Sequence, residues 1–117
     1  MHSDPARQAL LDMRANIELA TAFIGTMTVA ELEADRRTFY AATRCLEIIS
    51  EAARRLPSAL RERHAHLPWR AIMGVGNIYR HEYDNVAEDF IWRTVRHSLA
   101  PLLAVVELEL REPSHEA

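Results

Sequence analysis

The stretch "TFYAATRCLEIISEAARRL", Thr38 to Leu56, decides the fold class. Phe39, Ala42, Leu46, Ile49, Ala53 and Leu56 recur at steps of three and four. That spacing lines up one stripe of an α-helix, whereas a strand would alternate its faces at every second residue. Pro57 follows directly and, having no backbone N–H to donate, ends the helix. Upstream, Thr28 and Glu31 stand at capping-box spacing in "TVAE", so the helix is expected to begin there and to bend near Asp35. One long amphipathic helix with a clear start and stop is the seed of the architecture.

Similar punctuation recurs on both sides. Asp4 and Pro5 read as an N-cap and a first-turn proline. Leu10, Met13, Ile17, Ala20 and Ile24 then mark an apolar face that stops at Gly25. After Pro57, "SALRERHAH" reads as a short helix or turn. Pro68 opens a helix from about Trp69 to Arg80, and Asp84 with Asn85 supplies a turn or a new N-cap. A last long helix carries Phe90, Ile91, Val95, Leu99, Leu102, Val106 and Leu110, with a kink expected at Pro101. The end of the chain, 112–117, reads as frayed. No alternating strand-like run occurs, and three glycines interrupt 117 residues. The expectation is an all-α fold: an up-and-down bundle of four main helices plus short extra helical segments, in a single domain over 1–117.

Composition narrows the class further. Hydrophobic residues are 49% and charged residues 26% of the chain, ordinary for a globular protein and far from disorder. Cys45 is the single cysteine, which excludes an internal disulfide and fits a reducing compartment. Its apolar neighbours Ala42 and Ile49 point to a buried thiol, not a nucleophile. No apolar run approaches the ~20 residues that span a bilayer, and "MHSDPARQAL" lacks the basic-then-apolar pattern of an export signal. A cytoplasmic protein without a membrane partner is the expectation.

Net charge is −3, too acidic for a general nucleic-acid binder, but it is unevenly spread. Residues 54–97 hold eight Arg against five acids, and the flanking segments are each acidic. All fourteen basic residues are Arg, a bias that GC-rich codons would also produce. The positive band contains "NIYRHEYDN", Asn77 to Asn85. On a helix from Trp69 to Arg80, Asn77 and His81 fall within roughly 20° of Arg70, while Ile72, Val75 and Tyr79 face the other way. A solvated face is the usual meaning of a polar flank. Here it carries Arg, Asn and His instead of the Glu and Lys of a solubilising surface.

His81 changes protonation near neutral pH, and Arg80 beside it can hold a phosphate through two parallel hydrogen bonds. Those two functions suffice for RNA cleavage without a metal, because the ribose 2′-hydroxyl is the internal nucleophile. By itself an adjacent Arg–His pair is more often just surface. Tyr83 follows at a helix end, where its hydroxyl can stay exposed. Glu51, on the Thr38–Leu56 helix, could orient His81 or Arg80, or form a surface ion pair of little worth. Tyr40, Tyr79, Trp69 and Trp92 read as packing residues, the tryptophans in or at the rim of the core. His64 and His66 with Glu62 are the metal-ligand candidates. No Glu-x-x-His or His-Glu-x-x-His spacing supports them, so no metal and no cofactor are expected. A nucleophile elbow and a glycine-rich phosphate loop are both missing.

"LEIISEAARRLP", "LPWRAIMGVGNIYRHEYDNV" and "IWRTVRHSLAPLL" together resemble the HepT-like branch of the HEPN superfamily, over roughly Leu10 to Leu110. The most specific parts are Pro68-Trp69-Arg70 and Asn77-x3-His81-x-Tyr83. The resemblance implies a helical bundle that forms a homodimer, the polar motifs of both copies lining one cleft. It also implies a metal-independent ribonuclease, the toxin of a toxin–antitoxin pair. The implied partner is a minimal nucleotidyltransferase antitoxin that silences the toxin by transferring AMP to the motif tyrosine, here Tyr83.

The family motif is Arg-x4–6-His with a polar residue, often Asn, after the Arg. Asn77 and His81 match it, but the Arg position falls on Gly76. Arg80 could substitute from beside the histidine, or Arg70 could reach the site across a dimer. Within one helix Arg70 lies about 16 Å along the axis from His81, at ~1.5 Å per residue. Two readings therefore stand: an RNA endonuclease using His81, Arg80 and Asn77, or a catalytically inactive module that binds RNA or the nucleotidyltransferase.

Overall fold

The structure is a computed structural model and describes residues 2–74 and 86–112. Helix α1 spans Asp4–Ile24. Its N-cap is Ser3, whose Oγ accepts from the Ala6 amide at 3.2 Å, so the expected cap Asp4 is instead the first helical residue. A serine one position earlier competes well because its short hydroxyl reaches the same orphan amides. Asp4 then lies in the first turn, where its charge complements the helix dipole. The helix stops at Gly25, at φ +51°, a left-handed conformation that a side chain would disfavour.

Helix α2, Val29–Ala34, begins with the expected capping box. The Thr28 amide donates to Glu31 Oε1 at 2.8 Å, and the Glu31 amide to Thr28 Oγ1 at 3.1 Å. The expected bend at Asp35 is a full break: Asp35 ends α2 and caps α3, Arg36–Arg55. Its φ of −112° and ψ of 86° are not helical, and its carboxylate accepts from the Thr38 amide at 3.0 Å. A short acceptor that satisfies orphan amides makes starting afresh cheaper than bending through.

The stripe Phe39, Ala42, Leu46, Ile49, Ala53 and Leu56 is buried, as its periodicity requires. Thr43, Cys45, Ser50 and Ala52 are buried beside it, so α3 is covered over a wide arc. Burial pushes the Cys45 thiol up, suppressing the reactive thiolate. Tyr40 departs from expectation. It is 64% exposed and lies edge-on against Phe39, with the Arg36 guanidinium 5.4 Å from its ring centre.

Helix α4, Ser58–Arg63, follows Pro57. Arg61 reaches back to the carbonyls of Ala53 (3.3 Å) and Leu56 (2.6 Å), satisfying orphan acceptors at the end of α3. Helix α5 is described over Trp69–Gly74. The expected continuation to Arg80, and the turn at Asp84 and Asn85, lie outside the described residues, as does the tail from 113.

Helix α6, Val86–Arg93, passes through a π-helical turn, Thr94–Ser98, into α7, Leu99–Leu110. The irregularity precedes Pro101 instead of sitting on it. Pro101 offers no N–H to the carbonyl of His97 and its ring crowds that carbonyl, so the turn upstream widens. Helix α1 packs chiefly along α3 and then α7, α5 packs on α3, and α6 on α2 and α3. The result is an all-α bundle 49 Å long and 24 by 21 Å across, without a strand among the described residues.

Candidate functional site

Asn77, Arg80, His81 and Tyr83 lie outside the described residues. The structure does define the frame that brackets them, since Gly74 precedes the motif segment and Val86 follows it. Trp69 anchors the upstream side. It is buried, and its indole donates to the His64 carbonyl at 2.9 Å. Four residues on, the Met73 carbonyl accepts from the Ser50 hydroxyl at 2.5 Å and from Arg54 at 2.5 Å. Arg54 also donates to Ser50 Oγ at 3.0 Å. Downstream, Ala87 and Ile91 enter the core, and the buried Glu88 carboxylate pairs with Arg36 at 2.5 Å. Both ends of the motif segment are thus docked on α3 or its first turn.

The two described site candidates sit on this frame. Glu51 on α3 and Arg70 on α5 are exposed, and neither has a hydrogen bond or ion pair among the described residues. The structure therefore does not bring Glu51 into contact with Arg70. Among the described arginines of the positive band, several are neutralised: Arg55 by Asp12 at 3.0 Å, Arg63 by Glu109 at 2.9 Å and Arg93 by Asp89 at 2.8 Å. Arg61 and Arg96 bind backbone carbonyls away from the frame, Arg96 at Gly25 and over the Trp92 ring. On the frame, Arg54 and Arg70 remain without a carboxylate partner among the described residues.

An apolar cleft lies next to the frame, lined by Leu46, Ile49, Pro68, Ile72, Phe90 and Leu102. It offers hydrophobic contact and almost no polar chemistry. A more polar cluster, which the sequence did not announce, surrounds Glu109 on α7, itself 3% exposed. His64 Nε2 lies 2.5 Å from one carboxylate oxygen; Arg63 and His2 lie 2.9 and 3.1 Å from the other. Burial pushes the Glu109 carboxyl up, but the hydrogen bonds from His64 and Arg63 outweigh it and hold it below its ordinary value.

The only histidine–carboxylate set able to converge on one ion, among the described residues, is His2, Glu109 and Glu112. A guanidinium already occupies the shared Glu109 oxygen, so the cluster reads as a structural tie between the chain's two ends. His64 is drawn into this tie, while His66 and Glu62 stay exposed. The trio considered as metal ligands is therefore not gathered by the fold. The only signal for the tie was a pair of distant residues, and nothing in their spacing links 64 to 109.

An all-α bundle in which the described residues on both sides of the His-containing stretch pack on α3 defines a class of helical proteins. Comparison narrows the class: the ribonuclease HepT-like family model matches residues 13–108. The chain belongs to the HepT-like family. It is similar to a protein of Thermococcus cleftensis named "Probable ribonuclease HepT", 30% identical over 93 residues, covering 80% of this chain and 84% of that one. It is also similar to two proteins of Methanocaldococcus jannaschii, each named as a "Putative RNase". One is 30% identical over 66% of this chain and 64% of its own length; the other is 28% identical over 77% and 78%. No solved structure matches the chain to a significant degree.

Proposed function

We propose that this chain is a metal-independent RNA endonuclease, the toxin of a toxin–antitoxin pair, acting as a homodimer in the cytoplasm. One observation carries the reading: the family match spans residues 13–108 and so covers the stretch Asn77-x3-His81-x-Tyr83, whose Asn, His and Tyr fit the motif that the resemblance implies. In the reaction the ribose 2′-oxygen attacks the adjacent phosphorus while a base takes its proton. The bond to the 5′-oxygen breaks, and that oxygen receives a proton, leaving a 2′,3′-cyclic phosphate and a 5′-hydroxyl. His81 serves in proton transfer, Arg80 stabilises the charge growing on phosphate, and Asn77 orients substrate or His81. Glu51 and Arg70 would support that segment; both are exposed on α3 and α5.

Control falls on Tyr83. A minimal nucleotidyltransferase antitoxin directs the phenolic oxygen onto the α-phosphorus of ATP. The phenol loses its proton, the bond to pyrophosphate breaks, and AMP stays on the tyrosine. The added charge and bulk beside His81 occupy the place where the RNA phosphate must sit.

The test is cleavage of RNA by purified protein in EDTA. His81→Ala is expected to lower the rate by roughly 10²–10⁴-fold, the usual contribution of a general acid–base group. Full activity in that variant sinks the site assignment. Intact mass after coexpression with the nucleotidyltransferase reports the modification, and AMP additions that survive Tyr83→Phe rule out this acceptor. Gly76, at the family's Arg position, favours a second reading, a catalytically inactive module that binds RNA or the nucleotidyltransferase. Wild-type protein that binds RNA but leaves it whole would select it.

A further inference from the structure

We propose that Arg54 is a substrate-binding residue that docks an RNA phosphate beside Met73, its guanidinium held ready by Ser50 and the Met73 carbonyl. The inference rests on the reading of this chain as a protein that acts on RNA. Its basis is a closed triangle of hydrogen bonds. Arg54 Nη1 donates to Met73 O at 2.5 Å and to Ser50 Oγ at 3.0 Å. The Ser50 hydroxyl donates to the same carbonyl at 2.5 Å. The carbonyl therefore accepts from both side chains, and Nη1 is committed to this anchor.

Ser50 is 1% exposed, so the serine side of this anchor sits in the core, while Arg54 itself is exposed. Three of the five guanidinium N–H groups, on Nε and Nη2, have no partner among the described residues, and the side chain reaches solvent. An arginine fixed at one nitrogen, with its remaining fork presented outward, is organised for a bidentate phosphate contact.

Location gives the contact its purpose. Met73 precedes Asn77 by four residues, a tether of at most about 14 Å even when fully extended. The guanidinium is therefore held at the point where the chain leaves the described part of α5 toward Asn77. No carboxylate neutralises it within salt-bridge reach among the described residues, unlike Arg55 directly after it, which pairs with Asp12. Arg70, one turn before Met73 on α5, is a second uncompensated cation on the same frame. Glu51 is the acidic residue of that stretch of α3 and restricts the docking position to the side it does not occupy.

The experiment measures binding of a fluorescein-labelled single-stranded RNA of mixed sequence by anisotropy across a salt series. The full-length His81→Ala protein serves as parent so that the RNA stays intact. In that background Arg54→Ala is expected to weaken binding several-fold at low salt. It should also flatten the plot of log Kd against log salt by about 0.7, the loss of one single-strand phosphate contact. Arg54→Gln removes the charge but can still donate to Met73, and should lose the same slope. Arg54→Lys and Ser50→Ala keep the charge and should keep the slope while weakening affinity, since both loosen the anchor. Arg44→Ala, ten residues or about 15 Å earlier on α3, should leave the slope unchanged.

Folded Arg54→Ala and Arg54→Gln proteins that bind with the parent's slope overturn the proposal and reduce Arg54 to a clamp. An equal loss from Arg44→Ala overturns it too, because the effect is then diffuse charge. A parent that binds no RNA at all overturns the RNA reading itself and takes this inference with it.

Discussion

Glu109→Gln is the sharpest test of how the two ends of the chain are joined. The wild-type carboxylate is buried and accepts from His64 at 2.5 Å and from Arg63 at 2.9 Å, with His2 at 3.1 Å. The amide keeps the volume but has one acceptor oxygen and turns an NH₂ group toward a donor. Losing a charge-assisted bond to His64 and leaving a buried donor unmet costs about 1–3 kcal/mol. The Arg63 bond adds little, about 0.5 kcal/mol, because its side chain is half exposed and solvent screens it. The expected total is about 2–3 kcal/mol, or a fall in Tm of roughly 10 °C for a chain this size.

The pH dependence has a defined sign. The folded-state pKa of Glu109 is depressed below its ordinary 4.5, so its contribution is fully present above that value. The contribution drains away as pH falls through the lower, folded-state pKa. Thermal and urea melts followed by circular dichroism at neutral and acidic pH should therefore show a stability gap between wild type and variant that narrows only in acid. A gap below about 1 kcal/mol at neutral pH, or one that widens on acidification, refutes the assignment of Glu109 as the buried tie. Because the cluster shares no residue with the proposed catalytic set, RNA cleavage at a temperature where the variant is folded should be unchanged.

Other perturbations probe the same structure at different levels. Leu46→Ala removes a side chain that is 1% exposed and borders the apolar cleft, and should cost about 2–4 kcal/mol in urea unfolding; a loss below 1 kcal/mol would mean the α3 stripe is not the core. Thr28→Ala dismantles the capping box of α2 and should cost about 1 kcal/mol, with Thr28→Ser restoring most of it; equal stability of all three proteins would show that the box is dispensable. His81→Ala should abolish RNA cleavage in EDTA while leaving the helical signal intact, and loss of both together would instead mark His81 as a folding residue.

Helix type and core face were legible because they follow from local rules. The three-and-four spacing from Phe39 to Leu56 admits one periodic structure, and burying that stripe is the main favourable term for a chain of this length. Gly25, the Thr28–Glu31 box and Pro57 mark boundaries that each depend on a few consecutive residues. Where two local devices competed, only the structure ranked them. Ser3 rather than Asp4 caps α1, Asp35 breaks the helix instead of bending it, and Pro101 displaces the irregularity into Thr94–Ser98. Tyr40 was misjudged as a packing residue because an aromatic beside the apolar stripe can lie just outside its arc.

Of the candidate site, the sequence by itself determined the residue types and their order: Asn77, Arg80, His81 and Tyr83, in a positive band, with Glu51 and Arg70 nearby in function. It could not reveal that Ser50 and Arg54 close on the Met73 carbonyl, nor that Glu109 holds His64, His2 and Arg63. Those groupings join residues 19 to 107 positions apart. Spacing along a chain encodes which face of a helix a side chain occupies, whereas which faces meet is set by packing the whole bundle at once. Periodicity thus settled the elements, and tertiary contact alone decided which of the described arginines are spent on carboxylates and which are not.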